Sequence, residues 1–252
     1  MVDVSVIGAG VVGLCVANEL LTRNVKVRIF DKKAKAGPHA CSWWAGGMLA
    51  PFCESESAEE AVCRFGQESA EWWDKRTNVI KHGSLVVASS RDGADFNRFK
   101  RLTSNHELVS GKAMTDLEPD LSDRFSRALF FKKEAHIDPR IALSDLTNRL
   151  NQAGVEISTA EPPKNLSNYI DCRGLAAKDR LPDLRGVKGE MLVIRSKDVV
   201  FQRPIRLLHP RLPLYIVPRE NGIFMLGAVL SGLWAFAVFP LVDTGNFWLI
   251  TL

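Results

Sequence analysis

The stretch VDVSVIGAGVVGLCVANELLTRNVKVRIFDK, residues 2–32, constrains the fold more than any other part of the chain. Val4 to Ile7 is short and rich in β-branched residues, as a buried parallel strand should be. Gly8, Gly10 and Gly13 then spell G-x-G-x-x-G. A helical run follows from Val11 to about Arg23, and a second β-branched run, Val25 to Phe30, ends at Asp31. Each part has a physical task at a dinucleotide. Gly8 makes the tight turn, Gly10 lets a pyrophosphate reach the backbone, and Gly13 lets the helix lie close on the strand. The helix N-terminus offers free N–H groups and a partial positive charge to the phosphates. The acid that ends the second strand accepts hydrogen bonds from the ribose hydroxyls. The fingerprint alone does not separate NAD from FAD, although flavoproteins commonly begin with such a site.

A second signature follows at once: PHACSWWAGGMLAPFCESESAEEA, residues 38–61. Gly46 and Gly47, beside small Ala45 and Ser42, suggest backbone packed against something flat. An ordinary loop plugged by Trp43 and Trp44 fits the same letters. Glu54 to Lys81 reads as one helix, capped by Ser55 or Ser57, with acids in its first turn.

Together the two signatures resemble the D-amino-acid oxidase family of FAD enzymes, and within it the glycine oxidase branch that serves thiamine biosynthesis. Two later blocks carry the same resemblance. DCRGLAAKDRLPDLRGVKGEM (171–191) is similar to the strand that returns to the FAD domain and then leaves it. RPIRLLHPRLPLYIVPRENGIFMLGA (203–228) is similar to the hairpin of the substrate domain. The resemblance implies an α/β (α+β) fold: a Rossmann-like FAD-binding domain with a parallel sheet, and a substrate domain with a largely antiparallel sheet. It places residues 1–80 and 135–185 in the first domain and 81–134 with 186–228 in the second. It implies that Gly8, Gly10, Val11, Val12 and Gly13 hold the pyrophosphate, and that Asp31 and Lys32 lie at the ribose and adenine. Cys41 and Ser42 would touch the flavin half of FAD, and Gly46, Gly47 and Met48 would line the isoalloxazine ring. Gly174 would let the chain pass close to the cofactor. Tyr215, with Met48, would meet the substrate, its phenol on the carboxylate.

The implied reaction is oxidative deamination of glycine or a similar small amino acid. Hydride leaves the α-carbon for the flavin, the imine hydrolyses, and O2 reoxidises the flavin to give hydrogen peroxide. Such chemistry needs position and charge from the protein, and the cofactor performs the hard step. The absence of a G-x-S-x-G nucleophile motif or an evident acid–base pair agrees with this. A nicotinamide dehydrogenase is the weakest alternative, because the A-G-G-M block has no task there.

The middle of the chain supports alternation between two domains. Gly83 to Ser89 reads as a strand of the second domain, and Ala94 to Leu102 as a short basic helix with a solvated face. Residues 135–158 read as a helix and then a strand of the first domain. Asp138 caps the helix, Pro139 occupies its first position, Gly154 stops it, and Ile141, Leu143, Leu146 and Leu150 form its apolar face. The five histidines, His39, His82, His106, His136 and His209, form no spaced ligand pair, so no metal is expected. The net charge of +4 comes without any run of basic residues, which excludes a nucleic-acid partner as an expectation. Five scattered cysteines with no C-x-x-C pair, and an N-terminus without a leader pattern, fit a cytoplasmic protein. A homo-oligomer is compatible with everything above.

The C-terminal stretch is the exception. Ile223 to Val242 is twenty residues without a charge, long enough to cross a bilayer as a helix. Glu220-Asn221-Gly222 sits between two β-like runs, though, and reads as a hairpin turn. That assigns Ile223 to about Ala228 to a strand, leaves too short a span, and argues against a membrane helix. The resemblance ends near Ala228, and residues 229–252 read as an aberrant apolar tail, the mark of a frameshift or truncating fusion. The family's substrate-carboxylate arginine and its C-terminal glycine-rich segment have no counterpart here. Poor stability and weak flavin retention are the corresponding expectations. An inactive FAD-binding remnant and a membrane-anchored flavoprotein are the alternatives to glycine oxidation.

Overall fold

The computed structural model describes residues 3–186, 189–211, 213–228 and 247–250. In chain order the elements are β1 (Asp3–Ile7), α1 (Val11–Thr22), β2 (Lys26–Phe30), β3 (Met48–Leu49), α2 (Pro51–Glu54), α3 (Glu60–Asp74) and β4 (Ser84–Ala88). Then come α4 (Gly93–Leu102), β5 (Glu107–Ser110), α5 (Lys112–Leu117), β6 (Arg127–Phe131), β7 (Ala135–His136), α6 (Pro139–Gln152), β8 (Ile157–Ser158) and β9 (Tyr169–Asp171). The last are β10 (Glu190–Arg195), β11 (Ile205–Leu208), β12 (Leu214–Pro218), β13 (Ile223–Ala228) and β14 (Phe247–Ile250). The chain divides into two compact units, residues 1–45 with 139–187, and residues 46–138 with 188–252.

The first unit is a four-stranded sheet in the order β8-β2-β1-β9, with every pairing parallel. Its strands are short and β-branched because helices cover them. Val6, Ile29, Leu14 and Ala17 are buried where α1 lies against the sheet. Asn18, also buried, ties α1 to α6: its Nδ2 donates to Leu14 O (2.8 Å) and to Leu146 O (3.2 Å). On α6, Leu143, Leu146 and Leu150 turn inward with Ala142. Ile141 is 45% exposed and does not join them. It stands two residues before Leu143, which on a helix places it on the opposite side. Each fully buried leucine contributes about 1.5–3 kcal/mol. Pro139 opens α6, and Gly154, at φ 77°, follows its end.

The second unit is built on an eight-stranded sheet, β14-β10-β13-β12-β11-β4-β6-β5. All its pairings are antiparallel except β11 with β4. Side chains alternate across it. Val86, Leu129 and Phe131 pack on one face with Phe96 and Phe99 of α4, Cys53 and Ala50. Leu85, Val87, Ala128 and Ile205 pack on the other with Met114 and Leu121. So α4 has its basic residues outward, yet two phenylalanines anchor its inner face. The β12–β13 hairpin turns at Asn221 (φ 59°) and Gly222 (φ 67°), as the Asn-Gly pair requires. Glu134 is buried beside the α2 turn. Its Oε1 accepts from the Cys53 N–H (2.6 Å), its Oε2 accepts from the Ser84 hydroxyl, and burial pushes its pKa up to about 7.

Two differences from the sequence reading stand out. The single helix expected over 54–81 is two. Pro51 starts α2, whose turn is closed by the Ser55 hydroxyl donating to Phe52 O (2.6 Å). The chain then re-enters a helix only at Glu60, with no side-chain cap, and leaves it at Asp74. Ile80 forms a bridge with His136 instead of a last helical turn. Residues 46–80 also fall in the second unit, because β3 pairs with β7 and Ala50 and Cys53 join the α4 core cluster. Of the apolar tail, 229–246 and 251–252 lie outside the described residues, and 247–250 form β14 beside β10. Among the described residues no helix is long and apolar enough to cross a membrane.

Candidate functional site

In the first unit the glycine loop connects β1 to α1. Gly8 takes φ 104°, and its N–H donates to Phe30 O at 2.7 Å, locking the loop to the end of β2. A methyl group on Gly8 would come within 2.6 Å of Cys172 O, and one on Gly13 within 1.8 Å of Gly8 O. Gly10, the residue before α1, is different: only Ser42 Oγ lies near, at 3.7 Å from where a Cβ would be. The surface above Gly10 is therefore open, and the tight approaches are at Gly8 and Gly13.

The end of α1 has donors to spare. The Val11 N–H donates to Ser42 Oγ (3.3 Å) and Ala9 N–H to Asp31 Oδ2 (2.7 Å). None of the described hydrogen bonds uses the N–H of Gly10, Val12 or Gly13. Free donors at a helix N-terminus, with the helix dipole behind them, suit a phosphate. Asp31 is already committed in part, because its Oδ1 accepts from the Lys33 N–H (2.9 Å). Each of its oxygens retains a lone pair for a further donor. Lys32 is exposed beside it, and Val12 is 59% exposed. These residues fit the dinucleotide half of FAD.

Cys41 and Ser42 sit on a short 3-10 turn, Cys41–Trp44. The two tryptophans that follow them have a role that the sequence did not show. The Arg140 guanidinium at the start of α6 lies 5.2 Å from the Trp43 ring centre and 5.1 Å from that of Trp44. The Trp44 indole donates to Pro38 O (2.9 Å). Cation–π contact thus fixes the turn that presents Ser42 to α1. Gly174 lies on an exposed turn at φ 59° with nothing within 4 Å of a Cβ, and two residues earlier Cys172 O makes a close backbone approach to Gly8. Arg173 holds this turn through Asp171 (2.8 Å) and Asp179 (2.9 Å), and it keeps the Asp171 carboxyl below its ordinary pKa.

In the second unit Gly46 and Gly47, the latter at φ 80°, precede β3, which Met48 opens. Tyr215 of β12 lies against Gly46. A methyl on Gly46 would come within 2.9 Å of the Tyr215 ring, and one on Gly227 within 2.1 Å. Gly227 faces Tyr215 across the β12–β13 pair, and Met191 faces Gly227 in turn. The Tyr215 hydroxyl donates to Met191 Sδ at 3.5 Å. Burial first, and then the Glu54 carboxylate, push the Tyr215 pKa up, so the phenol stays protonated and remains a donor. The structure therefore brings Gly46 and Tyr215 together, and places Met48 two residues from the contact. Gly227, Met191 and Arg219 belong to the same cluster and were not singled out from sequence. The Asn-Gly turn would have revealed Gly227, because it fixes the register that pairs it with Tyr215. Among the described residues there is no group of His, Cys, Asp and Glu able to hold a metal.

A family described as FAD dependent oxidoreductase (DAO) matches residues 3–238 of the chain. The match runs past Ala228, where the motifs of the resemblance end. The thiamine biosynthesis oxidoreductase ThiO of Rhizobium etli is 46% identical over 228 residues, which cover 88% of this chain and 69% of that protein. The solved glycine oxidase of Geobacillus kaustophilus superposes with a TM-score of 0.70 at 18% identity, over 90% of this chain and 71% of that one. The L-alpha-glycerophosphate oxidase of Mycoplasma pneumoniae, solved with FAD bound, gives a TM-score of 0.67 at 17% identity, over 92% of this chain and 72% of that one.

Proposed function

The chain belongs to the family of FAD dependent oxidoreductases, and on that premise we propose that it oxidises glycine, or a similarly small amino acid, in thiamine biosynthesis. The likeness to a ThiO protein at 46% identity supports the pathway, and the glycine oxidase fold supports the substrate class. The observation that carries the reading is the open, donor-rich α1 N-terminus of the first unit; within the second unit, the neutral Tyr215 phenol packed on Gly46 supports it separately.

The residues divide the work as follows. Gly10, Val12 and Gly13 direct their N–H groups at the pyrophosphate, aided by the α1 dipole. Ser42 holds the Val11 N–H and adds a hydroxyl on the flavin side. Asp31 accepts from the ribose while its existing bonds keep it rigid. Gly46 and Gly47 present bare backbone to a flat ring, and Met48 supplies an apolar wall. FAD, when bound, supplies the two-electron acceptor for the hydride of the substrate α-carbon. Tyr215 donates a hydrogen bond to the substrate carboxylate, which fixes the α-carbon for that transfer. The overall balance is glycine, O2 and water to glyoxylate, ammonia and hydrogen peroxide. The five free cysteines suit a reducing compartment, and we place the protein in the cytoplasm.

The test is product formation by purified, FAD-loaded protein. Equal amounts of glyoxylate and hydrogen peroxide from glycine are expected. FAD binding without turnover of glycine, sarcosine or D-alanine would leave a nucleotide binder and overturn the catalytic reading.

A further inference from the structure

Arg219 follows β12 and is almost wholly buried, with its side chain 8% exposed. A guanidinium never loses its charge in a protein, so burying one requires partners around the fork. Its Nη2 donates to Gly46 O at 2.7 Å, its Nη1 donates to Ile137 O at 2.6 Å, and its Nε faces Asp138 Oδ2 at 3.5 Å. Its charge is also felt at His136, where burial first and then Arg219 hold the imidazole pKa down at about 4.

The choice of partners is informative. Gly46 and Ile137 lie on neighbouring segments, joined by the Ile137 N–H donating to Gly47 O at 2.9 Å. The segment Gly46-Gly47 has no side chains with which to anchor itself, and Gly47 stands at φ 80°. Left alone, such a segment samples many conformations. Arg219 supplies the missing anchor by fixing the carbonyl of Gly46, and with it the plane of the Gly46–Gly47 peptide. Tyr215 stands four residues earlier on the same run of chain and rests its ring on Gly46. Side chains alternate along a strand, so Tyr215, Val217 and Arg219 share a side, with buried Val217 between the other two.

We infer that Arg219 is a positioning residue, which fixes the Gly46–Met48 backbone and Tyr215 in the arrangement that receives the flavin ring and the substrate. This inference rests on the proposed FAD-dependent function. Arg219 touches neither the substrate nor the cofactor and acts through Gly46.

Arg219→Lys tests it. Lysine keeps the charge but lacks the planar fork that spans two carbonyls. Amide hydrogen exchange of the cofactor-free protein is measured first. At least tenfold faster exchange is expected within 46–49 and at Ile137, with α1 and β1 unchanged. FAD titration follows, with a severalfold weaker affinity and an altered visible flavin band expected, and a raised KM for glycine with a smaller change in kcat. Arg219→Met should show the same pattern more strongly. Wild-type exchange and a wild-type flavin band in both variants would overturn the inference. So would exchange that rises uniformly through the protein, or loss of folding in the lysine variant, because either makes Arg219 a general stabiliser. If wild-type protein takes up no FAD, the functional reading fails instead, and the exchange result still judges the clamp.

Discussion

Substituting Gly13 by alanine separates close helix–strand packing from ordinary helix propensity by the sign of its effect. Gly13 lies inside α1, where replacing glycine by alanine normally stabilises a helix by about 1 kcal/mol. Here the added methyl would sit 1.8 Å from Gly8 O and 2.9 Å from Gly8 C, against 3.4 Å for ordinary contact. The neighbouring atoms are backbone, and Gly8 is itself held by Phe30 O and pressed on Cys172 O. No flexible side chain can yield. The helix must retreat by about 1.6 Å, the shortfall from ordinary contact. Overpacking of this kind costs about 1–3 kcal/mol, and more where backbone must move. Because backbone must move here, the cost lies in the upper part of that range, about 2–3 kcal/mol, and exceeds the propensity gain, so Gly13→Ala should be destabilised by about 1–2 kcal/mol on balance. For a chain of this size that is roughly 2–8 °C in Tm. A helix displaced this far also carries the Gly10, Val12 and Gly13 donors away from the phosphates, so FAD affinity should fall at least tenfold. Thermal unfolding of the cofactor-free variant and FAD titration measure the two effects. A stabilised variant with wild-type FAD affinity would refute the reasoning.

Two further outcomes are expected. Glu134 is buried, and its pKa stands at about 7 in the folded protein against 4.5 ordinarily. The folded state therefore holds its proton more tightly than the unfolded chain does. The stability this confers is complete below about pH 4.5 and is lost as pH rises through about 7. Relative to Glu134→Gln, wild type should lose on the order of 3 kcal/mol between pH 5 and 8 in denaturant titrations, and parallel curves would contradict the assignment. Tyr215→Phe removes a hydroxyl whose described partner is a thioether at 3.5 Å. Stability should change by less than about 1 kcal/mol, while the KM for glycine rises about tenfold through loss of a hydrogen bond to a charged group; an unchanged KM would remove Tyr215 from the substrate site.

How much of this was legible depended on how locally it was encoded. The β1–α1–β2 unit and the β12–β13 hairpin are written in adjacent residues: a glycine loop after a β-branched run, and Asn221-Gly222 between two others. The α3 start was not, because the apolar and acidic pattern of 54–81 continues through a turn that only Pro51 and the Ser55–Phe52 bond define. Ile141 was placed on the buried face by its chemistry, although its helical phase points away from Leu143. The grouping of residues 46–80 depends on β3 pairing with β7, a contact spanning nearly ninety positions that no local pattern announces. Arg219 shows the same limit in the site. The run Tyr215 to Arg219 identifies the strand, but not which carbonyls the arginine will find. Buried Arg203 likewise meets Glu118 (2.9 Å), 85 positions away. The paired tryptophans could be counted in the sequence, whereas Arg140, which holds both rings, could be found only in the fold.

The central claim is that this chain binds FAD and uses it to oxidise a small amino acid. The most direct test is the visible spectrum of the FAD-loaded protein, mixed with glycine in the absence of oxygen. The account predicts that the oxidised flavin band bleaches on mixing and returns when air is admitted, with one hydrogen peroxide formed per flavin reoxidised. A bound flavin that stays oxidised in the presence of glycine, sarcosine and D-alanine would contradict it.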